Sequence, residues 1–86
     1  MAALAHLAPT VLIRAARGSD GPALRRLAEL DSHEHIPAGE LLVAETGDEV
    51  VAALSVDTGA RVADPFRRTA DVVDLLAYRA RKLKTA

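Results

Sequence analysis

The sequence predicts a small α+β domain: an antiparallel sheet in the order β-α-β-β-β-α, with two packed helices. Three observations predict it. Apolar runs of strand length, bounded by Gly, Pro and Asp, recur along the chain. Two further stretches carry apolar residues at helical spacing behind capping residues. At 86 residues there is room for one core and no second.

Residues 1–10 read as a flexible N-terminal extension, a frayed segment or short helical turn stopped before Pro9, and residues 11–86 as a single domain. Val11-Leu12-Ile13-Arg14-Ala15, ended by Gly18, is the first strand. Ser19-Asp20-Gly21-Pro22 starts a helix: Asp20 can accept bonds from free backbone N–H groups, and Pro22 sits where no donor is needed. That helix runs through Leu30, with Leu24, Leu27 and Ala28 inward and Arg25, Arg26 and Glu29 outward. Asp31 to Gly39, with Pro37, is a loop. Leu41–Glu45 and Val50–Val56 form a hairpin around Thr46-Gly47-Asp48-Glu49. A turn over Asp57-Thr58-Gly59-Ala60 leads to a short strand, Arg61–Asp64, which Pro65 breaks because it has no N–H for a ladder. In the last helix Thr69 is the N-cap, Asp71 and Asp74 lie early, and Arg79, Arg81, Lys82 and Lys84 lie late, as the helix dipole favours. Val72, Leu75, Leu76 and Leu83, with Val73 and Ala80, are expected to make its apolar face.

Composition excludes several chemistries. Aromatics are only 2% of the chain, Phe66 and Tyr78, so the core must be built from Leu, Val and Ala. Without cysteine there are no disulfides, thiolate zinc sites or cysteine nucleophiles. A net charge of −1 supplies no basic field for nucleic acid or an anionic membrane. No apolar run approaches the ~18 residues of a membrane span, and the opening segment lacks the basic start of a secretory signal, so cytoplasmic residence is expected. The charge is unevenly spread. Residues 29–57 hold eight acids and no Lys or Arg, between two basic ends. Such segregation favours internal pairing or head-to-tail contacts between copies, with solvated faces the simpler account.

Ile13-Arg14-Ala15-Ala16-Arg17-Gly18-Ser19-Asp20, followed by the paired leucines Leu24 and Leu27, resembles the opening of the GNAT superfamily of N-acetyltransferases. Leu42-Val43-Ala44-Glu45 and Gly47-Asp48-Glu49-Val50-Val51-Ala52 resemble that family's central hairpin. Ala63-Asp64-Pro65-Phe66-Arg67-Arg68 resembles the V-D-P-x-x-R entry to its acyl-CoA loop. The resemblance runs from about Val11 to Leu83 and implies the N-terminal half of the GNAT fold. It also implies that Arg67, Arg68, Thr69, Ala70 and Asp71 stand where the cofactor pyrophosphate would be held, with acetyl-CoA or another acyl-CoA as ligand. The family's run there is glycine-rich, so that backbone amides turn toward the phosphates. In this chain Asp71 and Val73 occupy glycine positions, an acid and a branched side chain expected to fill that space. The family's later strands and helix, which open the pantetheine slot and carry the general acid, have no counterpart in these residues. The expectation is therefore a degenerate, non-catalytic member with no cofactor and no catalytic residue.

Other clusters carry less. Ser32-His33-Glu34-His35 could offer two imidazoles to a divalent metal, but the i, i+2 spacing has no evident further ligand, so a polar loop is expected and no metal. Tyr78 has no base beside it and reads as a packing residue. Arg67 and Arg68 could together hold a phosphate or carboxylate, with a solvated pair near Asp64 the favoured account. The basic C-terminus lacks an aromatic platform for nucleic acid. The functional expectation is an interaction module that forms a homo-oligomer or binds a protein partner, through the open edge of Arg61–Asp64 or an apolar helix face. The alternative is an acyl-CoA-binding or N-acetyltransferase-like protein whose site is completed by another chain.

Overall fold

The computed structural model describes residues 11–32 and 35–85. The expectations for residues 1–10 and for His33 and Glu34 lie outside them. Strand β1 (Val11–Ala15) is followed by one 3₁₀ turn (Gly18–Asp20) and helix α1 (Gly21–Leu30). Strands β2 (Leu41–Thr46), β3 (Glu49–Ser55) and β4 (Arg61–Ala63) come next, and helix α2 (Ala70–Thr85) closes the chain. The fold is α+β, with one four-stranded antiparallel sheet in sequential order β1-β2-β3-β4 and two helices. Each neighbouring pair is antiparallel, so short connections suffice. The β2–β3 connection has positive φ at its first central residue alone, Gly47 at +61°, the geometry of a type II′ turn.

The helices do not pack on one another but on opposite faces of the sheet. Leu24 and Leu27 of α1 bury against Leu41, Val43, Val50, Ala53 and Val62. Leu76 and Ala80 of α2 bury against Leu42, Ala44, Val51, Ala52 and Leu54. Covering both faces explains why β2 and β3 read as unbroken apolar runs and not as an alternating pattern. The register slips between Ala44 and Glu45, so that Ala44 faces Ala52 while Glu45 faces Val50. Val51 is the extra residue of this β-bulge, which lets Val51 and Ala52 both turn to the α2 side. Alanines at 44, 52 and 80 hold no bulk between helix and sheet, and fully buried Leu76 and Leu54 fill the seam.

Several expectations are corrected. Leu75 and Leu83 are exposed, so the buried stripe of α2 is narrower than the pattern suggested: Leu76 and Ala80, flanked by Val72, Val73 and Ala77. Leu75 points off that stripe, and Leu83 lies where the helix passes the sheet margin, beside Ile13 and Ala15. Strand β4 stops at Ala63, one residue earlier than expected, and Asp64 turns its side chain into the following loop. Arg26 is half-buried and ion-paired, not simply outward.

Candidate functional site

The loop between β4 and α2, with the first residues of α2, carries the five residues singled out by sequence. Its shape is set by Asp64, only 5% exposed. The Phe66 N–H donates to Asp64 Oδ1 at 2.9 Å, and the Arg67 N–H donates to the Asp64 carbonyl at 3.3 Å, a side-chain turn inside a backbone turn. Arg67 folds back: its Nε lies 3.5 Å from Asp64 Oδ2, and its Nη2 pairs with Glu49. Arg26 of α1 joins from the other side, with Nη2 3.1 Å from Glu49 Oε2 and Nη1 4.0 Å from Asp64 Oδ2. Two cations and two anions from α1, β3, the end of β4 and the loop thus neutralise one another. Arg67, expected either to hold an anion or to stand solvated, is instead paired within the protein.

Arg68 differs. It is exposed and makes no ion pair among the described residues. Two open depressions flank it. One of about 510 Å³ is lined by Pro65, Arg67, Arg68, Thr69, Ala70 and Asp71, and one of about 370 Å³ by Thr46, Val51, Arg67, Arg68, Thr69 and Val72. The structure therefore does bring the five residues to one concave surface. Helix α2 starts there, and its first turn closes when the Val73 N–H donates to the Thr69 carbonyl at 2.8 Å, which makes Thr69 the N-cap by backbone geometry. Val73 is half-buried and packs toward the sheet, so it does not fill the concave surface as expected; Asp71 is exposed and does line it.

Successive amides converge on a phosphate in a nest, commonly one that alternates right- and left-handed residues, as glycine permits. Among the described residues, positive φ occurs at Ser32, Gly39, Gly47 and Gly59, none of them between Asp64 and Val73. The amides of this loop follow ordinary turn and helix geometry. With Arg67 committed to Glu49 and Asp64, the charges left at the rim are Arg68 and the opposing Asp71.

A second charged cluster was not visible in sequence as a cluster. Arg14 of β1 reaches Asp20 with both terminal nitrogens, at 2.8 and 2.9 Å, and places Nε 3.0 Å from Glu45 Oε1 on β2. The Arg17 N–H donates to Asp20 Oδ2 at 2.7 Å. Asp20 was expected to cap α1, yet it makes no side-chain bond to the helix. It sits in the 3₁₀ turn with helical φ of −81°, which swings the carboxylate back toward β1, where a two-toothed guanidinium contact is stronger than one amide. Arg14, and then the Arg17 amide, hold the Asp20 carboxyl down at about 2, while Asp20 and then Glu45 raise Arg14 further above its already high value. The cluster bolts β1, the 3₁₀ turn and β2 together. It is an anchor, with no group free for proton transfer. The signal available in sequence was Arg14 and Asp20 flanking a Gly-containing turn, with an acid in the facing strand.

Among the described residues no group of three or more His, Asp or Glu is arranged to hold a metal ion. Tyr78 is half-exposed on α2, with Lys82 Nζ 5.4 Å from its ring centre, a cation–π contact and no catalytic arrangement. No helix among the described residues is long and apolar enough to cross a membrane. Compared with protein-family models, curated proteins and solved structures, the chain finds no significant match in any of the three.

Proposed function

We propose that this chain is a non-catalytic, GNAT-like interaction module that associates with itself through an open sheet edge. The observation that carries this reading is the state of the loop where an acyl-CoA enzyme would grip its cofactor. Its first arginine is spent on Glu49 and Asp64, no residue from Asp64 to Val73 takes the left-handed conformation, and Asp71 stands at the start of α2. The sheet, meanwhile, ends on two edges, β1 and β4, and Leu12, Phe66, Leu75 and Tyr78 are apolar surface on the described part of the chain. Exposed edges and apolar side chains are what association covers. Sequential strand order with helices on opposite faces supports the family resemblance. Cytoplasmic residence belongs to the same reading.

Light scattering coupled to size exclusion, from about 1 to 200 µM, tests it. A concentration-dependent dimer is expected, and a monomer throughout would end the proposal. The alternative, acyl-CoA binding completed by another chain, has one observation in its favour: Arg68 makes no ion pair among the described residues and stands at the rim of two depressions. Calorimetric titration with acetyl-CoA, using Arg68→Ala as control, separates the two. We expect no heat from either protein. Heat from the wild type that vanishes in Arg68→Ala would favour the alternative.

A further inference from the structure

We propose that a second copy of this chain pairs with the free edge of β1, antiparallel about a twofold axis at Ile13, so that two four-stranded sheets become one; this rests on the self-association proposed above. The backbone provides the first argument. The Ala16 N–H donates to the Leu41 carbonyl at 2.9 Å, and Arg14 faces Val43 as Leu12 faces Glu45. Antiparallel ladders alternate, so even-numbered residues of β1 spend their polar groups on β2. Val11, Ile13 and Ala15 therefore turn N–H and C=O away from the sheet. A twofold at Ile13 sets Ile13 against its own counterpart and Val11 against Ala15 of the second copy, and every outward donor meets an acceptor. The Ala15 carbonyl accepts a bond from Arg14 Nη1 at 3.2 Å and keeps a second lone pair for the seam.

The second argument compares the two edges. Natural edge strands are blunted by charge, proline, bulges, brevity or a cover. Strand β4 has brevity, with three residues, carries the exposed Arg61, and is partly covered, since Asp31 Oδ2 accepts the outward Ala63 N–H at 3.1 Å. Strand β1 has five residues, with no proline and no bulge within Val11–Ala15, and no cover among the described residues. Its single charge, Arg14, is folded onto Asp20 and Glu45.

The third argument is what flanks the seam. Helix α1 covers β3 and β4 and leaves Leu12 of β1 53% exposed. On the other face a largely apolar cleft of about 340 Å³ opens between β1 and α2, walled by Ile13, Ala15, Leu42 and Leu83 beside Arg79 and Lys82. Cross-strand partners point the same way, so Val11 of the second copy would fall beside that cleft. The stem of its Arg14 would cover Leu12. One occupant covers both apolar surfaces and the open edge together.

The test uses two proline variants and one exchange experiment. Ile13→Pro deletes an outward donor and leaves the β1–β2 bonds intact; Arg61→Pro does the same on β4. We expect a dimeric wild type, a monomeric Ile13→Pro with native circular dichroism, and a dimeric Arg61→Pro. In the wild-type dimer the Ile13 and Ala15 amides should exchange as slowly as Leu12 and Arg14, and dilution to monomer should release the odd-numbered pair alone. A folded Ile13→Pro that stays dimeric, a monomeric Arg61→Pro, or fast Ile13 and Ala15 amides in a wild-type dimer each overturn the β1 seam and leave self-association standing. A wild type that never dimerises overturns both. Should Ile13→Pro not fold, the exchange pattern alone decides.

Discussion

Replacing Asp20 with Asn removes a charge while keeping shape, and the structure sets the size of the effect. Asp20 is 7% exposed; its carboxyl accepts hydrogen bonds from both terminal nitrogens of Arg14 and from the Arg17 N–H, and is held down at about 2 where an ordinary Asp titrates at 3.8. Each unit of such a shift corresponds to about 1.4 kcal/mol of folding free energy. At full value the depression would be worth roughly 2.5 kcal/mol. The cluster lies close to solvent, and screening brings the expectation to about 1–2 kcal/mol. Because the folded carboxyl is the stronger acid, the contribution is fully present above pH ~4 and is lost as pH falls toward 2. Urea unfolding of wild type and Asp20→Asn, followed by circular dichroism at pH 7, 5, 3.5 and 2.5, measures it. The variant should be weaker by about 1–2 kcal/mol at pH 7, a loss of roughly 4–8 °C in Tm per kcal/mol for a domain of this size. The gap should narrow steadily below pH 4. A gap that is absent at pH 7, or unchanged between pH 7 and 2.5, would refute the claim that ionised Asp20 anchors β1.

Three further outcomes are expected. Leu76→Ala opens a hole in a fully buried seam between α2 and the sheet, and should cost about 2–5 kcal/mol in chemical denaturation, enough to unfold a small domain at 37 °C. Asp64→Ala removes the acceptor for the Phe66 N–H and the shared partner of Arg26 and Arg67; about 1–3 kcal/mol is expected from thermal melts, with faster amide exchange at Phe66 and Arg67. Ser32→Gly relieves a non-glycine residue held at φ +60° just past the end of α1, and should raise stability by about 0.5–1 kcal/mol, read as a higher urea midpoint at unchanged slope.

The split of charge along the chain acquires a structural meaning. Arg14 and Arg26 from the first basic block, and Arg67 from the last, reach Glu45 and Glu49 of the acidic middle. The middle is the hairpin at the centre of the sheet, so pairing each end with it ties N-terminal and C-terminal elements to the same scaffold. The same pairing removes Arg67 from service as an anion ligand. A residue can match a cofactor motif in type and position and still be consumed by its neighbours.

Local chemistry made most of the elements legible in advance. Gly47 and Asp48 between two apolar runs specify a hairpin whatever lies around them, and Pro22 and Pro65 set a helix start and a strand end by geometry of their own rings. The alanine-rich core likewise follows from composition. What the linear order could not decide was facing. Leu75 and Leu76 are equally apolar, and only the placement of the sheet buries one and leaves the other in water. Asp20 has the residue type of a cap, and it became an anchor because folding brought Arg14 across to it. The protection of the β4 edge was also settled in three dimensions, since Asp31 and Ala63 stand far apart in sequence and meet only when α1 lies over β4. Short-range preferences are carried by a few adjacent residues and can be read there. Burial, pairing and edge protection arise from long-range contacts that exist only once the chain has closed on itself.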